Sequence, residues 1–225
     1  MRRLLAILLG ALVISGGLGA TERPAISDQT VATLQRSVDA GYREARETFL
    51  FYFDEDFPDP GADRNPFSLT IDAWKQRQAA CIDNRCRLVE LTAQLDRLNF
   101  ANGNGRKPVD RMPWRTGSFM LSGTAWAGQM SVLPVGDGSI VVAVTTFSTK
   151  GRMWDCAGFT ATGALSATGY GKMTVYDELN QDGRPLTFAL QALSPTSVKL
   201  SAVSPDGYDD ICRTGSIFGT YRAEG

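Results

Sequence analysis

The chemistry open to this chain is limited first by what it lacks. It contains no histidine, which removes the usual nucleophile–base triads, most zinc centres and the commonest general base. The thiols are Cys81, Cys86, Cys156 and Cys212. A four-cysteine zinc site would need tighter spacing than Cys-x4-Cys followed by two widely separated residues. Paired carboxylates could serve glycan hydrolysis, and the run Asp54-Glu55-Asp56-Phe57-Pro58-Asp59-Pro60-Gly61-Ala62-Asp63 supplies them, but its prolines mark a solvated surface loop. Glu178-Leu179-Asn180-Gln181-Asp182-Gly183 imitates the start of a calcium loop, yet Ala189 stands where the bidentate acid belongs. A hairpin turn at Asp182-Gly183 accounts for those residues better. Gly169-Tyr170-Gly171-Lys172 fails as a phosphate loop, because Ser166 and Met173 occupy the positions for glycine and Ser/Thr. No catalytic residue, metal site or cofactor is expected, and the chain is not read as an enzyme.

The thiols instead point to oxidation. Met1-Arg2-Arg3, the apolar run Leu4 to Ile14 and the small residues Ser15 to Ala20 have the three parts of a secretory signal, with cleavage after Ala20. The apolar run spans about half of a hydrocarbon core, so a permanent membrane anchor is not expected. No cysteine stands at the cleavage point for lipidation, and the paired arginines lack the polar residue that precedes a twin-arginine signal. A periplasmic or secreted protein follows, and an even cysteine count there reads as disulfides with three possible connectivities. Pairing Cys81 with Cys86 and Cys156 with Cys212 keeps each bridge within one half of the chain. In the loop-entropy picture these bridges contribute about 2 and 4 kcal/mol. Without Arg2 and Arg3, the 23 basic side chains fall to 21 against 24 acidic ones. No excess of basic charge is available for a phosphate backbone, so nucleic acid is not an expected partner.

Two kinds of element must position whatever site exists. Val31, Leu34, Val38, Tyr42 and Phe49 recur at helical spacing, with Asp28 as the N-cap. A second helix is expected over residues 68–80 with Leu69 or Ile71 and Trp74 inward. A third is expected over 85–100, striped by Leu88, Leu91, Leu95 and Leu98. The Cys81–Cys86 bridge would staple the turn between them. Glycine, asparagine and proline between Ala101 and Pro108 then mark a linker. Beyond it the apolar period drops to two in Gly171–Tyr176, Leu186–Leu190 and Val198–Ala202, while Ser139–Thr146 is a continuous apolar, β-branched stretch. Asp137-Gly138, Asp182-Gly183, Ser194-Pro195 and Asp206-Gly207 punctuate this half. The expected organisation is a signal peptide (1–20), a helical module (21–104), a linker (105–113) and a β domain (114–225). The fold class is α+β: about three helices, disulfide-stapled, followed by an antiparallel barrel or sandwich of seven to eight strands. Phe119, Trp126, Phe147, Trp154, Phe159, Phe188, Phe218 and Tyr221 are expected mostly in its core.

Trp74-Lys75-Gln76-Arg77-Gln78-Ala79-Ala80-Cys81, followed after four residues by Cys86 and then by a leucine-striped helix, is similar to the helical signature of the LprI-type lysozyme-inhibitor family. Gln78, where arginine is usual, and Leu91, where an aromatic is common, depart from that signature. The ending Cys212 … Gly219-Thr220-Tyr221-Arg222 resembles the close of small secreted β domains that accompany such modules. The resemblance implies a protein that blocks a lysozyme-like hydrolase by inserting a loop into its cleft. A serine and a cation on neighbouring segments would meet the catalytic carboxylates, and Ser166, Tyr170 and Lys172 match that description best. The rival expectation is a non-catalytic envelope module that binds a sugar, lipid or peptide. An inhibitor calls for a filled barrel and a projecting loop, a ligand carrier for an open, partly apolar mouth.

Overall fold

A computed structural model describes residues 25–49, 66–105, 107–122, 126–148, 158–179, 182–204, 206–208 and 217–223. Three helices, α1 (Asp28–Phe49), α2 (Pro66–Ala79) and α3 (Asn84–Ala101), precede eight strands. The strands are β1 (Ser118–Ser122), β2 (Trp126–Gly136), β3 (Ser139–Ser148), β4 (Phe159–Leu165), β5 (Tyr170–Leu179), β6 (Pro185–Ser194), β7 (Ser197–Ala202) and β8 (Gly219–Ala223). Each strand pairs antiparallel with the next and β8 pairs with β1, so the sheet closes into an up-and-down barrel. Closure leaves no free sheet edge.

The helices form where the apolar rhythm places them, with one correction and one alternative settled. The cap of α1 is Ser27, whose hydroxyl accepts from Thr30 N–H at 3.2 Å. Asp28, expected in that role, lies inside the first turn and accepts from Asn84 Nδ2 at 2.7 Å. Leu69, a candidate for the inner face of α2, is 53% exposed. The inner face of α2 is set by Phe67, Thr70 and Trp74, with Ile71 partly buried. In α3, Leu91 and Leu98 are buried, and Asp83 caps the start by accepting from Cys86 N–H at 2.8 Å. The Cys81–Cys86 disulfide spans that cap and staples the α2–α3 turn. The proposed Cys156–Cys212 pair lies outside the described residues.

Two cores meet on one hairpin. Inward positions of the barrel carry Phe119, Met130, Val132, Ile140, Val142, Val144, Phe188, Leu190, Leu200 and Tyr221, all buried. On the outside of the barrel, Leu133, Val141 and Ala143 belong to a second cluster with Val38, Tyr42, Phe49, Phe67, Trp74, Leu91 and Leu98. Consecutive residues of β3 therefore serve opposite cores, which is why Ser139–Thr146 is apolar without alternation. The helical core is closed by aromatic contacts, with the Tyr42 ring 5.9 Å from Phe67 and 5.5 Å from Trp74. Buried Gln94 donates to Tyr42 Oη at 2.8 Å and accepts from Arg77 and Arg97, each at 3.3 Å.

The stretch that joins the helices to the barrel packs against both. Arg97 of α3 grips the Asp110 carboxylate with two nitrogens. Asp110 and Arg111 both have positive φ, 46° and 61°. That sharp turn sends Met112 and Trp114 into the barrel core, where Trp114 is fully buried with its ring 5.5 Å from Phe119. Trp114 thus plugs the end of the barrel from which β1 starts. Met173 fills the space over Gly163, whose missing Cβ would lie 2.4 Å from Lys172 O.

Trp114→Ala should empty a fully buried indole and lower unfolding free energy by about 3–5 kcal/mol, read as a fall in the urea midpoint. Burial raises the Tyr42 hydroxyl to about 12 and raises Tyr221 further. Both phenols stay neutral in the fold where an unfolded chain would ionise near 10. Their contribution is complete below about pH 10 and is lost as pH rises through the folded values, so an alkaline titration should show their tyrosinate absorbance appearing together with unfolding.

Candidate functional site

The expected partner-binding residues sit together on the β4–β5 hairpin. Gly169 N–H donates to Ser166 O at 2.9 Å and Ser166 N–H donates to Tyr170 O at 2.8 Å. These bonds define a three-residue hairpin loop with glycine at the left-handed position, and Gly169 has φ +74°. The loop is braced from within: the Ser166 and Thr168 hydroxyls share a 2.9 Å hydrogen bond, and Tyr170 N–H donates to Ser166 Oγ at 3.2 Å. It is braced from outside as well, because Ala192 N–H donates to Gly169 O at 2.9 Å. A Cβ on Gly169 would lie 2.6 Å from Ala192 Cβ and 3.1 Å from Pro113 Cγ. The hairpin is therefore packed at its base and open at its tip.

Strand alternation then decides what is presented. Gly171, Met173 and Val175 face inward, while Tyr170, Lys172 and Thr174 face outward and are exposed. Tyr170 is 50% exposed. Ser166 belongs to the turn itself, so its hydroxyl is committed to the loop's own bonds. Tyr170 and Lys172 are two residues apart on one outer face, with the Ser166 turn at its end.

The register extends that face beyond the residues expected from sequence. Tyr170 pairs with Gln191, Gln191 with Lys199 and Lys199 with Thr220, in one row from β5 to β8. Lys172 pairs with Ala189, which pairs with Ser201. Ser197 pairs with Arg222, which pairs with Met120. Lys199, Arg222 and Leu193 are all exposed. A cation at the outward position of Val198-Lys199-Leu200 was visible in the alternation. Its neighbours were not, because the pairing of strands is a property of the closed sheet.

The helical side carries a different opening. An open groove of ≈ 500 Å³ lies beside the stapled α2–α3 turn, with Val31, Gln35, Lys75, Gln78, Asn84 and Arg87 among its lining residues. Asn84 and Gln78 are held there by bonds to Asp28 and Gln35, both 2.7 Å. Ile82, in the disulfide loop, is 96% exposed. Among the described residues, no group of three or more His, Cys, Asp or Glu side chains could hold a metal ion. No described helix is long and apolar enough to cross a membrane. The acidic run 54–63 lies outside the described residues.

Comparison with protein-family models, curated proteins and solved structures finds no match for this chain. Gly169→Ala should cost about 1–2 kcal/mol for the left-handed backbone, and more for the crowded Cβ. Chemical denaturation should show that loss, and backbone amide exchange at Tyr170 and Ala192 should quicken.

Proposed function

We propose that this chain is an exported, non-catalytic inhibitor that binds a lysozyme-like peptidoglycan hydrolase through the β4–β5 hairpin. The observation that carries this reading is a braced hairpin with an exposed tip, on a barrel whose interior side chains are buried and whose near end is plugged by Trp114. A rigid loop loses little conformational entropy on docking. Lys172 offers an ammonium and Tyr170 a phenol to the two carboxylates that glycoside hydrolysis requires. The Cys81–Cys86 disulfide supports an oxidising compartment, in keeping with the leader-like first twenty residues.

The groove beside α2 and α3 favours a second reading, a binding module for a small anionic or peptide ligand held by Lys75 and Arg87 over Val31 and Ala79. The two readings use different elements, the helices for one and the β4–β5 hairpin for the other, and separate cleanly. In a cell-wall turbidity assay, the oxidised chain from Thr21 onward should inhibit a lysozyme with one-to-one stoichiometry. Lys172→Ala should weaken inhibition by about thirty-fold, as loss of a buried charge partner costs about 2 kcal/mol or more, while Lys75→Ala should leave it unchanged. Lack of inhibition across several lysozyme types would sink the inhibitor reading. Inhibition unaffected by Lys172→Ala would keep the function and move the site.

A further inference from the structure

We propose that the barrel wall from β5 to β8 is a wedge for a concave, acid-lined partner, with Lys172 on one flank and Lys199 and Arg222 on the other. The inference rests on the inhibitor reading and specifies the partner's surface. Lys172, Lys199 and Arg222 are outward and exposed, and among the described residues none of them makes an ion pair. Apart from these three cations, the described outward side chains of β5 to β8 are hydroxyls, small apolar groups, tyrosines, Gln191 and Leu193; the Glu178 side chain, on β5, lies outside the described residues. The chain as a whole has a net charge of −1, so this concentration of cations is segregated rather than general. Exposed cations without ion pairs on one wall draw an anionic partner and repel a basic one.

Barrel geometry decides the partner's shape. β5 and β8 are three steps apart in a closed sheet of eight strands, so Lys172 and Arg222 point in directions that diverge by roughly 135° around the barrel. Lys199 is one strand from Arg222 and two residues out of line with it. A flat surface such as a bilayer can meet one flank of a convex wall, not both together. A cleft can meet both, with Tyr170 beside Lys172 on one wall and Gln191 and Leu193 of β6 between the flanks facing its floor. The partner is thus a protein whose groove carries carboxylates on both walls.

The test compares Lys172→Glu, the double variant Lys199→Glu/Arg222→Glu and the triple variant, each in the full oxidised chain. All three positions are exposed, and unchanged thermal melting checks that the variants fold. Against an inhibited hydrolase, each flank's reversal should raise the inhibition constant about ten-fold or more, the effects should combine in the triple variant, and added salt should weaken the parent most. If only one flank matters, the wedge is wrong while inhibition stands. If no hydrolase is inhibited, immobilised poly-L-glutamate decides. Salt-sensitive retention of the net-acidic parent, reduced by either reversal, supports the acid-binding wall without the inhibitor reading. Passage straight through overturns it, and so does binding to phosphatidylglycerol vesicles with no retention on poly-L-glutamate.

Discussion

The burial of β2 and β3 on both faces is the constraint from which the rest of the molecule follows. Val142 and Ile140 belong to the barrel interior, and Val141 and Ala143 belong to the helical core. A strand exposed on one side could carry polar residues at alternate positions. This one cannot, so the barrel and the helices are two layers against a shared sheet segment. Removing the helices would expose Leu133, Val141 and Ala143, an apolar patch of the kind that drives association.

That shared hairpin also assigns roles to the sides of the barrel. Helices cover β2 and β3, Thr160 on β4 donates to Phe49 O at 2.8 Å, and the described helices leave β5 to β8 uncovered. The Arg97–Asp110 clamp fixes the entry of the chain into the barrel, and the turn it holds delivers Trp114 to the barrel end. Pro113, next to that plug, supports Gly169 at the base of the β4–β5 hairpin. The candidate site is therefore held by the same segment that joins the two cores.

The helical half was legible in outline because an apolar residue every third or fourth position has one physical explanation. The boundaries were less so: Ser and Asp both cap helices well, and only the chain path showed that the Ser27 hydroxyl, not the Asp28 carboxylate, accepts from Thr30 N–H. Leu69 and Ile71 lie about 200° apart on the helix, so only one can face the core, and the position of Phe67 in the aromatic core decided against Leu69. The β half was legible as alternation and turns. Tyr170 and Lys172 could be named from sequence because they are neighbours along the chain.

What the sequence determined by itself is local: helical and strand periods, the turn at Asp137-Gly138, the capacity of Cys81 and Cys86 to bridge, and the hairpin residues. Closure of the barrel, the attachment of the helices to β2 and β3, and the company of Lys199 and Arg222 were decided only by the tertiary structure. The physical reason is that periodicity says which side chains share a face of one element. It does not say which elements lie side by side. That choice depends on the summed burial of the whole chain, here on a hairpin apolar enough to be covered twice.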